Sequence, residues 1–290
     1  MIKMGASGEN QSPENGLRRD TTPPCTPALG YAPHTDMPTQ PSASGKGWLL
    51  ERLTWVEAEN VLSSNSVVVI PIGAAAKEHG PHLPLNNDWT IAEYLACRLL
   101  EAAPVVVAPT VNYHHYPAFA EYPGSVSLRL ETARDLIIDI CKSFMAFGPR
   151  RFYALNTGVS TLHALRPAAA ALAACGALLH YTDIRAVGRA RVQQLEEQDG
   201  GGHADEIETS LMLYIAPASV DMTKAVCDYE PGSGRLTRTP GGQGVYSATG
   251  IYGDATLASR EKGRTIADAM TQGILSDIAR LQDAALPLPA

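Results

Sequence analysis

One loop of the sequence carries four side chains that can bind a metal ion or transfer a proton. Glu78, His79, His82 and Asp88 follow an apolar run at 67–70 that is rich in β-branched residues. Such a run is typical of a strand buried on both faces, and the ligands of open α/β sheets bind beyond the carboxyl ends of the strands. Carboxylate and imidazole groups in that position predict a site for a divalent metal ion.

The same loop also has a purely structural interpretation. Asp88 stands where it could cap the helix predicted over 88–100, and a cap needs no metal. His82 is expected to stabilise the loop or to support a ligand rather than to bind an ion. A bound ion would polarise an amide carbonyl and activate water for attack. The residues of this loop alone leave both interpretations open.

A second group of candidate residues follows the glycine-rich run 199–202. His203 and Glu206 are three residues apart, a spacing that can place two side chains on one side of a helix. An imidazole has a suitable pKa for proton transfer near neutrality. In the alternative interpretation, Glu206 is an acidic residue at the start of a helix over 205–215, where the helix dipole favours it. Glu208 is expected to brace the site rather than to bind an ion.

A polar loop after the second predicted strand supplies possible additional ligands, His114, His115 and Glu121. Adjacent histidines point in different directions, so at most one of the two is expected to face a metal ion.

The pattern of apolar residues predicts the elements that position these groups. Strands are expected over 67–70, 104–109, 151–156 and 177–183, and helices over 54–62, 88–100, 131–147, 161–175, 205–215 and 257–281. Alternating strands and helices with short links are typical of a three-layer α/β/α fold with a mostly parallel sheet. The carboxyl ends of the parallel strands would then bring the candidate residues together.

Composition limits the classes of function. The chain has 290 residues, a net charge of −7 and a hydrophobic fraction of 45%, which fits a globular protein and gives no reason to expect nucleic-acid or membrane binding. Five scattered cysteines without a Cys-x₂-Cys pair favour a reducing compartment, and we expect a cytoplasmic protein. Residues 1–46 are poor in large apolar side chains and are expected to form a disordered tail ahead of one domain over 47–290.

Four motifs in order along the chain resemble the creatininase (creatinine amidohydrolase) family. They are His-Gly-Pro-His-Leu-Pro at 79–84, Tyr-Pro-Gly-Ser-Val-Ser-Leu at 122–128, His-Ala-Asp-Glu-Ile-Glu-Thr-Ser at 203–210 and Gly-Ile-Tyr-Gly-Asp-Ala-Thr-Leu-Ala-Ser at 250–259. The resemblance implies a creatininase-like fold and a two-metal hydrolase of C–N bonds that forms homo-oligomers, often hexamers.

The resemblance also implies roles for individual residues. Glu78, His79, Asp88 and Glu206 would bind one or two divalent ions per chain, Zn²⁺, Mn²⁺ or Fe²⁺. His203 would lie beside the substrate and transfer a proton to the leaving nitrogen.

The chain departs from the family pattern at two positions. The family spacing Glu-x-His would place a carboxylate at position 77, which here is Lys77, and the family motif Asn-Gly-His-Gly-Gly-Asn has its histidine where this chain has Gly158. A bulge before His79 could bring Glu78 to the ligand position, and Lys77 would then be a surface charge. The missing histidine predicts a mononuclear site or a second ion completed by His114 or His115.

We therefore predict a metal-dependent amidohydrolase that acts on a small cyclic or linear amide. The departures leave two alternatives open. One is a binding or scaffold member of the family that has lost hydrolysis, and the other is a one-metal enzyme that removes formyl groups or trims peptides.

Overall fold

Five parallel strands form the central sheet of the computed structural model, which describes residues 46–289. The strands are β1 (Trp48–Leu49), β2 (Val67–Ile72), β3 (Val106–Val107), β4 (Arg151–Asn156) and β5 (Leu178–Tyr181), in the spatial order β1-β3-β2-β4-β5. The central strand β2 pairs with β4 from Val67↔Arg151 to Ile72↔Asn156. The loops that follow β2 and β4 therefore leave the sheet side by side at its carboxyl edge.

Helices cover both faces of this sheet. They are α1 (Trp55–Val61), α2 (Asn87–Ala102), α3 (Leu130–Met145), α4 (Leu162–Ala173), α5 (Arg189–Leu195), α6 (Glu206–Ile215) and α7 (Arg260–Asp283). Val67 and Val69 of β2 pack in a core with α2, α6 and α7, whereas Val68 and Ile70 pack in a second core with α3 and α4. Successive side chains of a strand point to opposite faces, so an all-apolar strand fills both cores. The predicted three-layer α/β/α fold is confirmed.

The helix signals of the sequence correspond closely to the helices of the structure. Thr54 and Glu57 form the predicted capping box of α1, and α2 begins one residue before Asp88. The sequence analysis did not predict β1, α5 or four two-residue strands, β6 (Cys227–Asp228), β7 (Leu236–Thr237), β8 (Val245–Tyr246) and β9 (Gly253–Asp254). These strands lie in glycine-rich segments that carry no apolar period.

The predicted tail, residues 1–46, lies outside the described residues except for Lys46. Among the helices of the described part, none combines the length and the apolar character that a bilayer span requires.

Candidate active site

The loop after β2 folds back onto the start of α2 and thereby places Asp88. A Cβ atom at Gly73 would overlap the backbone carbonyl of Asp88, so glycine permits this close approach. The Thr157 hydroxyl, on the loop after β4, donates to the carbonyl oxygens of Ile72 and Asp88, each at 3.1 Å. The ends of β2 and β4 thus fix the position of the Asp88 carboxylate.

His79 contacts that carboxylate with an imidazole that is fully buried. Its Nδ1 lies 3.0 Å from the carbonyl oxygen of Lys77, and its Nε2 lies 2.8 Å from Asp88 Oδ1. A carbonyl only accepts, so Nδ1 carries the hydrogen, and Nε2 of a neutral ring then presents a lone pair to a carboxylate oxygen. Two acceptors at this distance require a cation between them or a second proton on the ring.

Lys77 supplies a buried positive charge on the other side of Asp88. Its Nζ lies 2.7 Å from Asp88 Oδ2, and the side chain is 5% exposed. The ammonium also lies 4.7 Å from the ring centroid of Phe119 and 5.7 Å from that of Tyr116. Burial opposes the charge, but the carboxylates of Asp88, Glu208 and Glu78 together outweigh burial and raise the pKa of Lys77. The expectation of a surface charge at position 77 is wrong.

The Asp88 carboxylate is the partner of both groups. Burial alone would raise its pKa, yet the charges of Lys77 and His79 hold the pKa of Asp88 well below its ordinary value. Asp88 is therefore a carboxylate at neutral pH, with one oxygen toward an imidazole and the other toward an ammonium.

Glu78 holds His203 in place. The Nε2 of His203 lies 2.8 Å from Glu78 Oε1 and 3.0 Å from the Glu78 carbonyl oxygen, and Gly80 N–H donates to Glu78 Oε2 at 3.0 Å. Burial works against both charges, but their mutual attraction dominates, so the pKa of Glu78 is lowered and that of His203 is raised. With Nε2–H engaged, the free nitrogen of His203 is Nδ1, which lies 3.6 Å from Glu208 Oε2.

His79, His203 and Glu208 form a group that could hold a metal ion. Each offers one ligand atom, and these atoms lie within 4.8 Å of one another. Both imidazoles use their other nitrogen to donate to a carbonyl or carboxylate oxygen, which is the usual arrangement of histidine ligands. Nitrogen and carboxylate donors suit Zn²⁺ or Mn²⁺. The residues present therefore fit one divalent ion.

The structure gives Glu206 a different environment from the one expected for a metal ligand. Its buried carboxylate accepts from the Lys262 ammonium and from the backbone N–H groups of Glu197 and Gln198, each of the latter at 2.9 Å. This geometry does not support the predicted ligand role. The spacing argument fails because His203 precedes the N-cap, Asp205, so His203 and Glu206 do not share a helical turn.

Glu208 is the carboxylate that reaches His203 instead. Its Oε2 also accepts from the Ala204 N–H at 2.6 Å, in a turn where Ala204 has a φ of 50°. Glu78 likewise pairs with His203 and is outside the group of three, so its predicted role as a direct ligand is not supported either.

The remaining candidate residues lie outside the group of three. His114 is fully buried, and among the described residues neither of its ring nitrogens has a hydrogen-bond partner. His115 Nδ1 donates to the Leu128 carbonyl at 2.9 Å, and Glu121 accepts from the Thr237 hydroxyl at 2.7 Å. His82 contacts α6 through the Thr209 hydroxyl at 2.8 Å, so it anchors the loop.

Gly158 lies at the edge of the site and provides no donor side chain. A Cβ atom there would lie 3.0 Å from Thr161 Cγ2 and 3.4 Å from Tyr116 Cε1. The Gly158 carbonyl accepts from the Asn156 amide and the Thr161 hydroxyl. The loop is therefore closed by its own hydrogen bonds.

A cavity of about 650 Å³ opens onto these groups. Its wall includes the polar side chains of Lys77, His203 and Glu208 and the rings of Phe119 and Tyr252. The Phe119 ring lies against His203, with centroids 4.1 Å apart. A volume in this range accommodates small molecules, and Lys77, His203 and Glu208 border it directly.

Comparisons with known proteins identify the family of this chain. Residues 51–278 match the family model of creatininase, described as creatinine amidohydrolase. A mycofactocin precursor peptide peptidase from Mycolicibacterium smegmatis is 32% identical over 225 residues, which cover 74% of this chain and 85% of that protein. A creatinine amidohydrolase from Pseudomonas putida is 28% identical over 261 residues, covering 80% and 96%.

Solved creatininase structures share the fold. One of them superposes with a TM-score of 0.70 at 25% identity. The match covers 83% of this chain and 100% of the creatininase chain. Two others are described as an Mn form and, for a mutant, a Zn–Zn type.

Proposed function

We propose that this chain, which belongs to the creatininase family, hydrolyses an amide C–N bond of a substrate bound in the cavity beside His203 and Glu208. The family has a metal-dependent amidohydrolase fold. The observation that carries the proposal is the group of His79, His203 and Glu208, whose imidazoles are both oriented by a hydrogen bond on the far nitrogen. This is the usual arrangement of histidine ligands.

The ion would be held by His79, His203 and Glu208, with Asp88 Oδ1 beside His79 Nε2. A divalent ion supplies Lewis acidity toward a carbonyl oxygen and lowers the pKa of water. His203 was expected to carry a proton, but Nδ1 cannot hold a proton and an ion together. Its bond to Glu78 favours the ligand role.

The protein's own groups prepare the site for this chemistry. Glu78 fixes the ring of His203, and Phe119 packs on that ring. Asp88 is held ionised between Lys77 and His79. Because these groups are buried, their charges act in a medium of low dielectric constant, where they have a larger effect than in water.

The substrate class is an amide whose size the cavity permits. One relative is named for creatinine and another for a precursor peptide, so both a cyclic amide and the end of a peptide are candidates. The peptidase has the higher identity to this chain, 32% against 28%. We therefore include peptide trimming as the second candidate function.

The test measures metal content and hydrolysis together. The purified protein is assayed by mass spectrometry against creatinine, other cyclic amides and short peptides, before and after removal of metal with a chelator. We expect activity to be lost with the metal and to return with Zn²⁺ or Mn²⁺. Full activity without metal contradicts the proposal, and a metal-loaded protein that hydrolyses no member of the panel favours the binding or scaffold alternative.

A matched pair of variants locates the ligand. Glu208→Gln should lower metal affinity strongly, since it removes a charged donor from the group of three. Glu206→Gln, the same change two residues away, breaks the pair with Lys262 and should lower stability, but in the folded protein it should weaken metal binding far less than Glu208→Gln because it removes no donor of the group of three. The reverse result would restore the role that the sequence predicted for Glu206.

A further inference from the structure

The Lys77 ammonium lies inside the cluster of acidic and imidazole groups that would hold a metal ion. It is 2.7 Å from Asp88 Oδ2, and the opposite oxygen of that carboxylate contacts His79. Lys77 also lines the cavity together with His203 and Glu208. One carboxylate therefore faces an imidazole on one side and a fixed cation on the other.

We propose that Lys77 is a built-in cation that takes the place of a second metal ion, so that the site holds one divalent ion and one ammonium. In this arrangement the ammonium donates a hydrogen bond to the carbonyl oxygen of the scissile amide. The inference rests on the proposed function, since it assigns a further residue to the same reaction.

The charges of the cluster agree with one ion and not with two. Three carboxylates, Glu78, Asp88 and Glu208, contact its imidazoles or its ammonium. With neutral imidazoles, Lys77 leaves two negative charges, which one divalent ion neutralises. A second divalent ion would leave an excess of positive charge among buried groups, where unbalanced charge is costly.

Among the described residues, the candidate donors form one group that could hold an ion and no second one. The ammonium occupies Asp88 Oδ2, and Gly158 has no side chain. His114 and His115, which the sequence offered as substitutes, lie outside the group of three, and His115 is bonded to the Leu128 carbonyl. Positions 77 and 158, where the family pattern has metal ligands, are thus occupied by Lys77 and Gly158. An ammonium group and a glycine cannot bind a cation through their side chains.

The surroundings of Lys77 suit a group that acts on substrate. The rings of Phe119 and Tyr116 flank the ammonium and favour a cation over a neutral group. An ammonium has three donors, and Asp88 leaves others available toward the cavity. A donor fixed where charge develops on a carbonyl oxygen stabilises the transition state without reorganisation.

Metal content tests the first half of the inference independently of activity. We expect one ion per chain in the unaltered protein and in Lys77→Met, which removes the charge but adds no ligand. The multiple variant that combines Lys77→Glu, Gly158→His and Thr161→Ser should bind close to two ions per chain. Thr161→Ser is included because the Thr161 methyl group would lie 3.0 Å from a Cβ at position 158, and Thr161→Ser alone is the matched control.

The number of ions per chain decides whether Lys77 replaces a second metal ion. Two ions per chain in the unaltered protein overturn the replacement, as does a folded multiple variant, checked by circular dichroism, that still binds one. A protein that binds no ion and hydrolyses no amide defeats the proposed function instead. The two failures are therefore distinguishable.

Kinetics test the second half. Lys77→Met should lower kcat about 100-fold or more, as loss of one oxyanion donor does, while metal content stays at one and KM changes little. Lys77→Arg keeps the charge and should recover part of the loss. Undiminished kcat in Lys77→Met, with one ion bound, would show that the ammonium only balances charge and would overturn its role toward substrate.

Discussion

The fully buried carboxylate of Glu206 is paired with the Lys262 ammonium, which joins the start of α6 to the start of α7. Lys262 also lies 2.7 Å from Glu197 Oε1 and donates to the Leu257 carbonyl at 3.0 Å. The two helices pack along each other in the core beside the sheet. This ion pair therefore holds the helix that carries Glu208 and follows His203.

Removal of the cation should destabilise the fold. Lys262→Met leaves the buried Glu206 carboxylate without its charged partner, and we expect the free energy of unfolding to fall by about 3–5 kcal/mol. Denaturant titration measures it. As a control, Lys224→Met removes one partner of the exposed pair Lys224–Asp221 and should cost less than about 1 kcal/mol. Equal losses of stability in the two variants would mean that the buried pair contributes no more to the free energy of unfolding than the exposed pair.

Stability should also decrease in mild acid because of His114. Burial, with the nearby His115 charge, lowers the pKa of His114 to about 4, whereas an unfolded histidine titrates near pH ~6.5. Between these values the unfolded chain binds more protons, so the free energy of unfolding falls as the pH is lowered through this window. The full effect is about 3 kcal/mol below pH ~4.

Substitution of His114 isolates this contribution. His114→Leu removes two buried nitrogens and should reduce, but not abolish, the dependence of stability on pH between about 6.5 and 4, because the pKa of the buried His82 is also lowered to about 4. His163→Leu, at an exposed position of α4, measures what the loss of any imidazole does. If both variants have the pH profile of the parent protein, the buried ring is not the cause.

Glu78 should control metal affinity without binding the ion. Glu78→Gln keeps an acceptor for His203 Nε2–H but loses the charge that orients the ring. We expect affinity for Zn²⁺ to fall by about 10- to 100-fold, as for other partners of ligating histidines, in competition with a chelating dye. Glu230→Gln at the surface is the control. Unchanged affinity would argue against His203 as a ligand.

The sheet and the helices beside it could be predicted because they repeat a simple pattern. The all-apolar β2 needs helices on both faces, and α2 shows its buried stripe at Ile91, Leu95 and Leu99. The strands between 227 and 254 have two residues each, too few for any period. They depend on tertiary pairing, as β6 does with β9.

The site was predicted less completely because its partners are distant in sequence. His79 lies on the loop after β2 and Asp88 at the start of α2, and their proximity in the sequence was enough to suggest a common site. The pairing of Glu78 with an imidazole depends on His203, which is 125 residues after Glu78. The pairing of Glu206 away from the group of three depends on Lys262, 56 residues after Glu206. No local pattern encodes either contact.

Helices α6 and α7 approach each other closely at Gly263. A Cβ atom at Gly263 would overlap the carbonyl oxygen of Ser210, whereas at Gly273 it would meet only the Val187 side chain, at 2.7 Å. Both glycines lie within α7, so replacement by alanine brings the same gain in helix propensity, about 1 kcal/mol.

Gly263→Ala should lower the free energy of unfolding by about 3 kcal/mol, the upper range for overpacking, because a backbone carbonyl cannot move aside without shifting α6. Gly273→Ala should cost much less, since only a side-chain methyl group of Val187, and no backbone atom, has to shift. Because α6 follows His203 and carries Glu208, Gly263→Ala should also weaken metal binding, measured in the folded protein below the denaturation midpoint. A Gly263→Ala protein as stable as Gly273→Ala would show that the helices separate without cost and that their close packing does not set the position of Glu208.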